Sequence, residues 1–155
     1  GQNLVRRVIM KPIALGCDPN ASWLKEEIKS ELTDMGYEYK DYGSDDPIYA
    51  NVAIEVAEAV AAGKHDRGIV ICGTGIGVSI AANKVKGAYC ALVNDAYQAE
   101  RAIKSNNANM LAMGAQVMGD KLGRKLVRIW MESEWTPGTR SEPKVQRIVD
   151  YDNER

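Results

Sequence analysis

From Pro12 onward, short apolar runs alternate with longer stretches in which apolar positions recur every three or four residues. The first pattern suits strands buried on both faces and the second suits helices with one apolar stripe, so the chain predicts repeated βα units. "PIALGC" reads as a buried strand ending at Cys17; Ser22 can then cap a helix with apolar positions Leu24, Ile28, Leu32 and Met35, stopped by Gly36. "YEYKDYG" is a more polar second strand and belongs near an edge. Ile48 to Ala62 reads as an alanine- and valine-rich helix closed by Gly63, and "RGIVIC" as the most apolar and hence central strand. A short helix from Gly77 to Lys84, the strand "AYCALV", a helix from Ala96 to Lys104, the strand "NMLAMG" and a last long helix from Lys121 to Met131 complete the series.

Five strands with intervening helices predict an α/β fold in three αβα layers: a doubly wound, five-stranded parallel sheet with right-handed connections and the flavodoxin-like order 2-1-3-4-5. In such a sheet ligands bind beyond the carboxyl ends of the strands, where the order reverses, which here lies between the first and third strands. Those strands end in "GCDPN" and "CGTGIG", so these loops are expected to face one another, with "NDAYQ" and "GAQVMG" beside them.

At 155 residues with no linker-like stretch, the chain has length for one core, and residues 10–155 are expected to form one domain. Gly1 to Ile9 precede Met10 and the first strand, and read as an irregular extension or a segment foreign to the natural chain. A formal charge of −1 with mixed signs leaves no basic stripe for nucleic acid, and no apolar run approaches the roughly 20 residues that span a bilayer. Neither a nucleic-acid nor a membrane partner is expected. Three cysteines without paired spacing make no disulfide framework, and the start lacks a secretory signal, which points to a cytoplasmic location.

The chemistry concentrates in "IVICGTGIGVSIAANK". Gly73, Gly75 and Gly77 let backbone amides approach a ligand, and the helix that follows aims its partial positive end at the same place, so the loop suits an anion. It is not a dinucleotide fingerprint, because Val78 stands where glycine is required, and it lacks the Gly-Lys-Ser/Thr of a P-loop. Cys72 has two readings. A thiol at a helix N-terminus is stabilised as thiolate and can serve as base or nucleophile; an unpaired cysteine is also commonly a small buried packing residue. Cys90, inside a strand, reads as packing.

"ICGTGIGVSIAANKVKG", "GCD" after the first strand, "SNNANML" and "PGTRSEPKV" together resemble the family of type B ribose-5-phosphate isomerases and galactose-6-phosphate isomerases, over the chain from Met10 to about Tyr151. The resemblance implies interconversion of aldose and ketose phosphates through an enediolate, without metal or cofactor. It implies Cys72 as the base moving a proton between C1 and C2, with Thr74 assisting at the sugar oxygens. Asp18 would bind sugar hydroxyls and Asn106 the reacting end, while Gly73, Gly75, Ile76, Gly77 and Ser79 complete the binding loop. Family members are dimers or dimers of dimers with sites shared between subunits, so a homodimer is expected, with Arg140 and Lys144 reaching the substrate phosphate. Were that segment helical, the two would share a face; read without the resemblance, two such cations are ordinary solvated surface.

Three positions depart from the family. Pro19, followed by Asn20, stands where a histidine is usual; Ser105 stands where the ring-opening histidine is usual; and Asp46 replaces a substrate-contacting tyrosine, although Tyr49 is retained. The single histidine, His65, falls in a polar turn and reads as a surface residue. A pentose 5-phosphate closes through O4 into a furanose and benefits from an acid–base group that opens it. A tetrose 4-phosphate has O4 esterified and needs no opener, so the loss of the histidine favours a four-carbon substrate such as erythrose 4-phosphate. Two other readings stand beside this one: a galactose-6-phosphate isomerase-type subunit that works only with a partner chain, and a non-catalytic sugar-phosphate-binding module.

Overall fold

Strands form where apolar residues run without interruption, and in the computed structural model, which describes residues 10–155, three of them are buried at every position. The extension expected at residues 1–9 lies outside the described residues. The chain runs β1 (Ile13–Cys17), a 3₁₀ turn (Pro19–Ala21), α1 (Ser22–Asp34), β2 (Tyr39–Asp41), α2 (Tyr49–Ala61), β3 (Gly68–Cys72), α3 (Ile76–Asn83), β4 (Cys90–Leu92), α4 (Ala96–Lys104), β5 (Met110–Gly114), α5 (Asp120–Glu132) and α6 (Glu142–Asn153).

All pairings are parallel, and the α/β class stands as expected. The order is β2-β1-β3-β5-β4, which corrects the expected 2-1-3-4-5 by exchanging the last two strands. The physical reason is burial. β5 is fully buried over five residues, whereas β4 is three residues, all half-buried, and the longer apolar strand takes the interior place. Consequently β5 borders the central strand β3, with Cys72 level with Gly114.

Right-handed connections then dictate the layers. Steps from β1 to β2 and from β4 to β5 run in one direction and place α1 and α4 on one face; the opposite steps place α2 and α3 on the other. Leu24, Ile28 and Leu32 of α1 meet Ile103 of α4 and Leu126 and Trp130 of α5 over Leu15, Ile69, Ile71 and Leu111. Val52, Val56 and Val60 of α2 join Val78 and Ala82 of α3 over Ala14, Val70 and Ala112. Because side chains alternate along a strand, Cys72 falls in the α2/α3 layer and Cys17 in the opposite one.

Buried polar groups tie the layers down. Arg67 donates to the carbonyls of Trp130 at 2.7 Å and Ser133 at 2.9 Å, closing the end of α5 while lying over the Trp130 ring. The carboxamide of Asn83 exchanges two hydrogen bonds with the backbone of Cys90, and that of Asn109 bonds the N–H of Tyr89 and the carbonyl of Gly87. These two motif asparagines therefore hold the entrance of the edge strand β4. The end of α6 is anchored: buried Asp152 accepts from Gly87 N–H and Tyr89 Oη at 2.8 Å each and pairs with Arg155. No described helix is long and apolar enough to cross a membrane.

Asp41 closes β2 onto α1, taking Lys25 Nζ at 2.9 Å, Lys29 Nζ at 2.6 Å and the Gly43 N–H at 2.8 Å. Burial pushes its carboxyl up, but the Lys29 and Lys25 ammonium groups and the Gly43 amide outweigh that and hold it at about 2. A depressed carboxylate stabilises the fold above its unfolded value near 3.8 and loses that contribution as pH falls toward 2. Asp41→Asn leaves Lys25, 2% exposed, without its counter-charge. Urea unfolding should show this variant less stable by about 2 kcal/mol above pH 5, with the gap closing between pH 4 and pH 2; a pH-independent gap would contradict the assignment.

Candidate active site

The site is built where β3 stops. Gly75 adopts a φ of 80°, a left-handed conformation that turns the chain from strand into α3, and a side chain there would also strike the Met113 backbone at 2.8 Å. The turn brings the Gly75 N–H to 3.2 Å from Cys72 Sγ, so the thiol, only 4% exposed, carries a backbone donor at its sulfur. Thr74 is exposed beside it, and its Oγ1 accepts the Ile76 N–H at 3.2 Å, satisfying one of the amides a helix start leaves open. Tyr49, the first residue of α2, lays its ring directly against Gly77, so close that any side chain at 77 would collide with it.

Asp18 leads out of β1 and accepts the Ala21 N–H at 3.0 Å, capping the turn that contains exposed Pro19 and Asn20. Ser22 is therefore inside α1 rather than its cap. Asp46 precedes α2 and accepts from the Ile48 N–H at 2.8 Å and Asn51 Nδ2 at 2.9 Å; these bonds hold its carboxyl below the usual carboxylate range. Ser79 lies one turn into α3, with its hydroxyl beside the Cys90 thiol rather than at the mouth of the loop. The thiols of Cys17 and Cys90 are pushed up by burial, to about 11 and about 12, and stay protonated near neutrality.

The remaining expected residues lie elsewhere. Ser105 and Asn106 follow α4 and precede β5, at the amino end of the sheet, and are separated from Cys72 by the length of β5, about 13 Å at 3.3 Å per residue. There Ser105 Oγ accepts from Arg101 at 3.3 Å, and Asn106 borders a cavity of about 280 Å³ with Asn83, Tyr89, Val145 and Ile148. Arg140 and Lys144 are both exposed, but α6 begins at Glu142, so Arg140 sits in the preceding turn and the shared helical face does not form. His65 is also corrected: it is 5% exposed, with Nδ1 at 2.7 Å from the Pro12 carbonyl and Nε2 at 2.7 Å from Tyr42 Oη. A carbonyl only accepts, so Nδ1 carries the proton and Nε2 takes the tyrosine's. Among the described residues, no cluster of three histidines, cysteines or acids is placed to hold a metal.

Sequence reasoning missed Gln116, which follows β5 and lies over Gly73. Its loop, "GAQVMG", was expected beside the cleft, but the expected strand order set "NDAYQ" next to β3, and the signal for the closer neighbour was the greater apolar length of β5 over β4.

A thiol at the end of a central parallel strand, with a backbone donor at its sulfur, an exposed hydroxyl beside it and a helix start following, is an arrangement that suits an anionic substrate. The Ribose/Galactose Isomerase family model matches residues 13–148, and the chain belongs to that family; it is an aldose–ketose isomerase of phosphorylated sugars. It is similar to the D-erythrulose-4-phosphate isomerase of Pectobacterium atrosepticum, with 44% identity over 149 residues covering 94% of this chain and 97% of that protein. The ribose-5-P isomerase B of Listeria innocua is 41% identical over 143 residues, covering 90% and 96%. The structure of Clostridium thermocellum ribose-5-phosphate isomerase B matches with a TM-score of 0.86 and 40% identity, covering 92% of this chain and 98% of that one.

Gly75→Ala should lower stability by about 2 kcal/mol, or roughly 4–8 °C in Tm, because the residue must leave the left-handed region and clear the β5 backbone. Thermal unfolding with an unchanged Tm would show that this turn does not hold the loop.

Proposed function

We propose that this protein interconverts the aldose and ketose forms of a four-carbon sugar 4-phosphate, erythrose 4-phosphate and erythrulose 4-phosphate, through a cis-enediolate. The observation that carries the substrate assignment concerns the chain's one histidine. His65 is enclosed between Pro12 and Tyr42, and the opener position is occupied by Ser105, so no imidazole is available to open a furanose. A tetrose 4-phosphate does not ask for one. The 44% identical relative named D-erythrulose-4-phosphate isomerase supports the same reading.

In this mechanism the Cys72 thiolate removes the proton from C2 of the aldose, the proton on O2 passes to O1, and the thiol returns its proton to C1. The negative charge of the enediolate falls where the Gly73–Gly77 loop presents the start of α3, and stabilisation of that charge is the largest expected contribution to rate. Thr74, exposed beside the thiol, assists transfer between the two oxygens. Tyr49, against Gly77, borders the same loop, and in this reading Asp18 and Asn20 close the cleft from the end of β1.

Asn106, Ser105, Arg140 and Lys144 belong to the opposite end of the sheet, and in this reading they complete the Cys72 cleft of a second copy of the chain, the cations taking the phosphate dianion. Ile76 and Ile80, exposed on α3 beside the cleft, offer that copy an apolar seat.

Two experiments test this. Purified protein should turn over erythrose 4-phosphate with a clearly higher kcat/KM than ribose 5-phosphate, and Cys72→Ala should abolish both; a preference for ribose 5-phosphate would sink the tetrose assignment. Separately, inactive Cys72→Ala mixed with inactive Asn106→Ala should recover about a quarter of wild-type activity, since half the dimers would be mixed and each would hold one intact site. No recovery after subunit exchange would mean that each site is made by a single chain.

A further inference from the structure

Ser105 and Asn106, two of the polar residues assigned above to a second copy's cleft, are both held by a residue that no motif marks, Arg101. It stands in the last turn of α4. Its carbonyl takes the Ser105 N–H at 3.0 Å and Asn106 Nδ2 at 3.2 Å, while its guanidinium reaches one turn forward, where Nη1 donates to Ser105 Oγ at 3.3 Å. Two further contacts fix the guanidinium: it lies over the Tyr97 ring, 5.8 Å from the centroid, and Nη2 donates to Glu100 Oε1 at 2.9 Å. Asn107 then turns the chain with a φ of 50°, so Ser105 and Asn106 sit at the tip of the helix.

Stability alone does not explain this arrangement. Nε of Arg101 is buried and has no partner among the described residues, and a buried donor left open costs free energy. What the guanidinium achieves is to fix the role of the Ser105 hydroxyl. A serine oxygen that accepts from an arginine has its own proton directed away from that cation, and none of the described residues accepts it. Ser105 is thus displayed as a hydrogen-bond donor with a positive charge behind its oxygen. Because arginine stays protonated at any working pH, the pair can give a hydrogen bond to a sugar oxygen but cannot take a proton from one.

We propose that Arg101 is a positioning residue that sets substrate choice: it aims the Ser105 hydroxyl at an oxygen of the open-chain sugar phosphate held in the second copy's cleft, and its charge keeps position 105 from serving as the base that furanose opening needs. The proposal rests on the reading that Ser105 reaches that cleft. An imidazole placed at 105 would have the guanidinium beside it, and so close a like charge disfavours the protonated form through which ring opening passes.

The test is steady-state kinetics on erythrose 4-phosphate and ribose 5-phosphate, with thermal unfolding of each variant. Ser105→Ala and Arg101→Leu should each lower kcat/KM for erythrose 4-phosphate by about threefold to tenfold. The double variant should fall little below either single one, since both remove one contact, and Arg101→Gln should behave as Arg101→Leu does. Ser105→His alone should leave the ratio of ribose 5-phosphate to erythrose 4-phosphate kcat/KM within about twofold of wild type, whereas Ser105→His/Arg101→Leu should raise that ratio by about tenfold or more. Losses that multiply in Arg101→Leu/Ser105→Ala would overturn the proposal. So would an equal ratio for Ser105→His with and without Arg101, because a residue that only supports the fold changes both activities together. No recovery of activity in the mixture of Cys72→Ala and Asn106→Ala chains would instead remove Ser105 from the cleft, and with it the premise.

Discussion

The working end of this molecule depends on the parallel pairing of β3 with β5 and on its continuation past the end of both strands. Cys72 sits level with Gly114, and two further backbone bonds from Ala115 and Gln116 carry the ladder into the loops. The helices that follow β3 and β5 go to opposite faces of the sheet, which draws the two loops apart. Here they stay zipped for two more residues. Gly114 makes this possible, since any side chain on it would strike the Thr74 backbone at 2.5 Å. The thiol, its donor from Gly75 and the neighbouring hydroxyl are therefore held by main chain, the stiffest material available, while the side chains of Thr74 and Gln116 remain exposed.

The strands, the helices over residues 22–34, 49–61 and 96–104, and the cysteine loop were legible in the sequence because each is signalled by local chemistry: apolar runs, helical spacing or an unusual residue at a turn. What was not legible arose from competition between elements. Choosing β5 over β4 as the interior strand requires comparing two weakly apolar segments, and the contact of Gln116 with Gly73 depends on that choice. α6 escaped because only Val145 and Asp152 of its residues are buried; a polar anchor rather than an apolar stripe holds it. His65 sits in a turn rich in charge, and only the approach of Pro12 and Tyr42, far away in sequence, encloses it.

The distribution of polar chemistry over the two ends of the sheet also explains why motif and role diverge in this chain. Asn83 and Asn109 belong to the most distinctive sequence stretches, yet they are spent on the backbone of a short edge strand that has a partner on one side only. Asn106, three residues before Asn109, makes a single side-chain bond, to the Arg101 carbonyl, and faces a cavity. A run of asparagines thus contains one member that holds the scaffold and one that faces a cavity, and only the hydrogen-bond partners separate them.

The alternation of side chains along β1 and β3 has a further consequence, for oxidation. Cys17 and Cys72 end adjacent strands, but one thiol enters the α1/α5 layer and the other the α2/α3 layer, while Cys90 lies on β4 with β5 between it and β3. None of the three can reach another to close a disulfide without moving a strand. A sulfenic acid formed at Cys72 would find no resolving thiol among the described residues, and its rescue would fall to small-molecule thiols able to reach the end of β3.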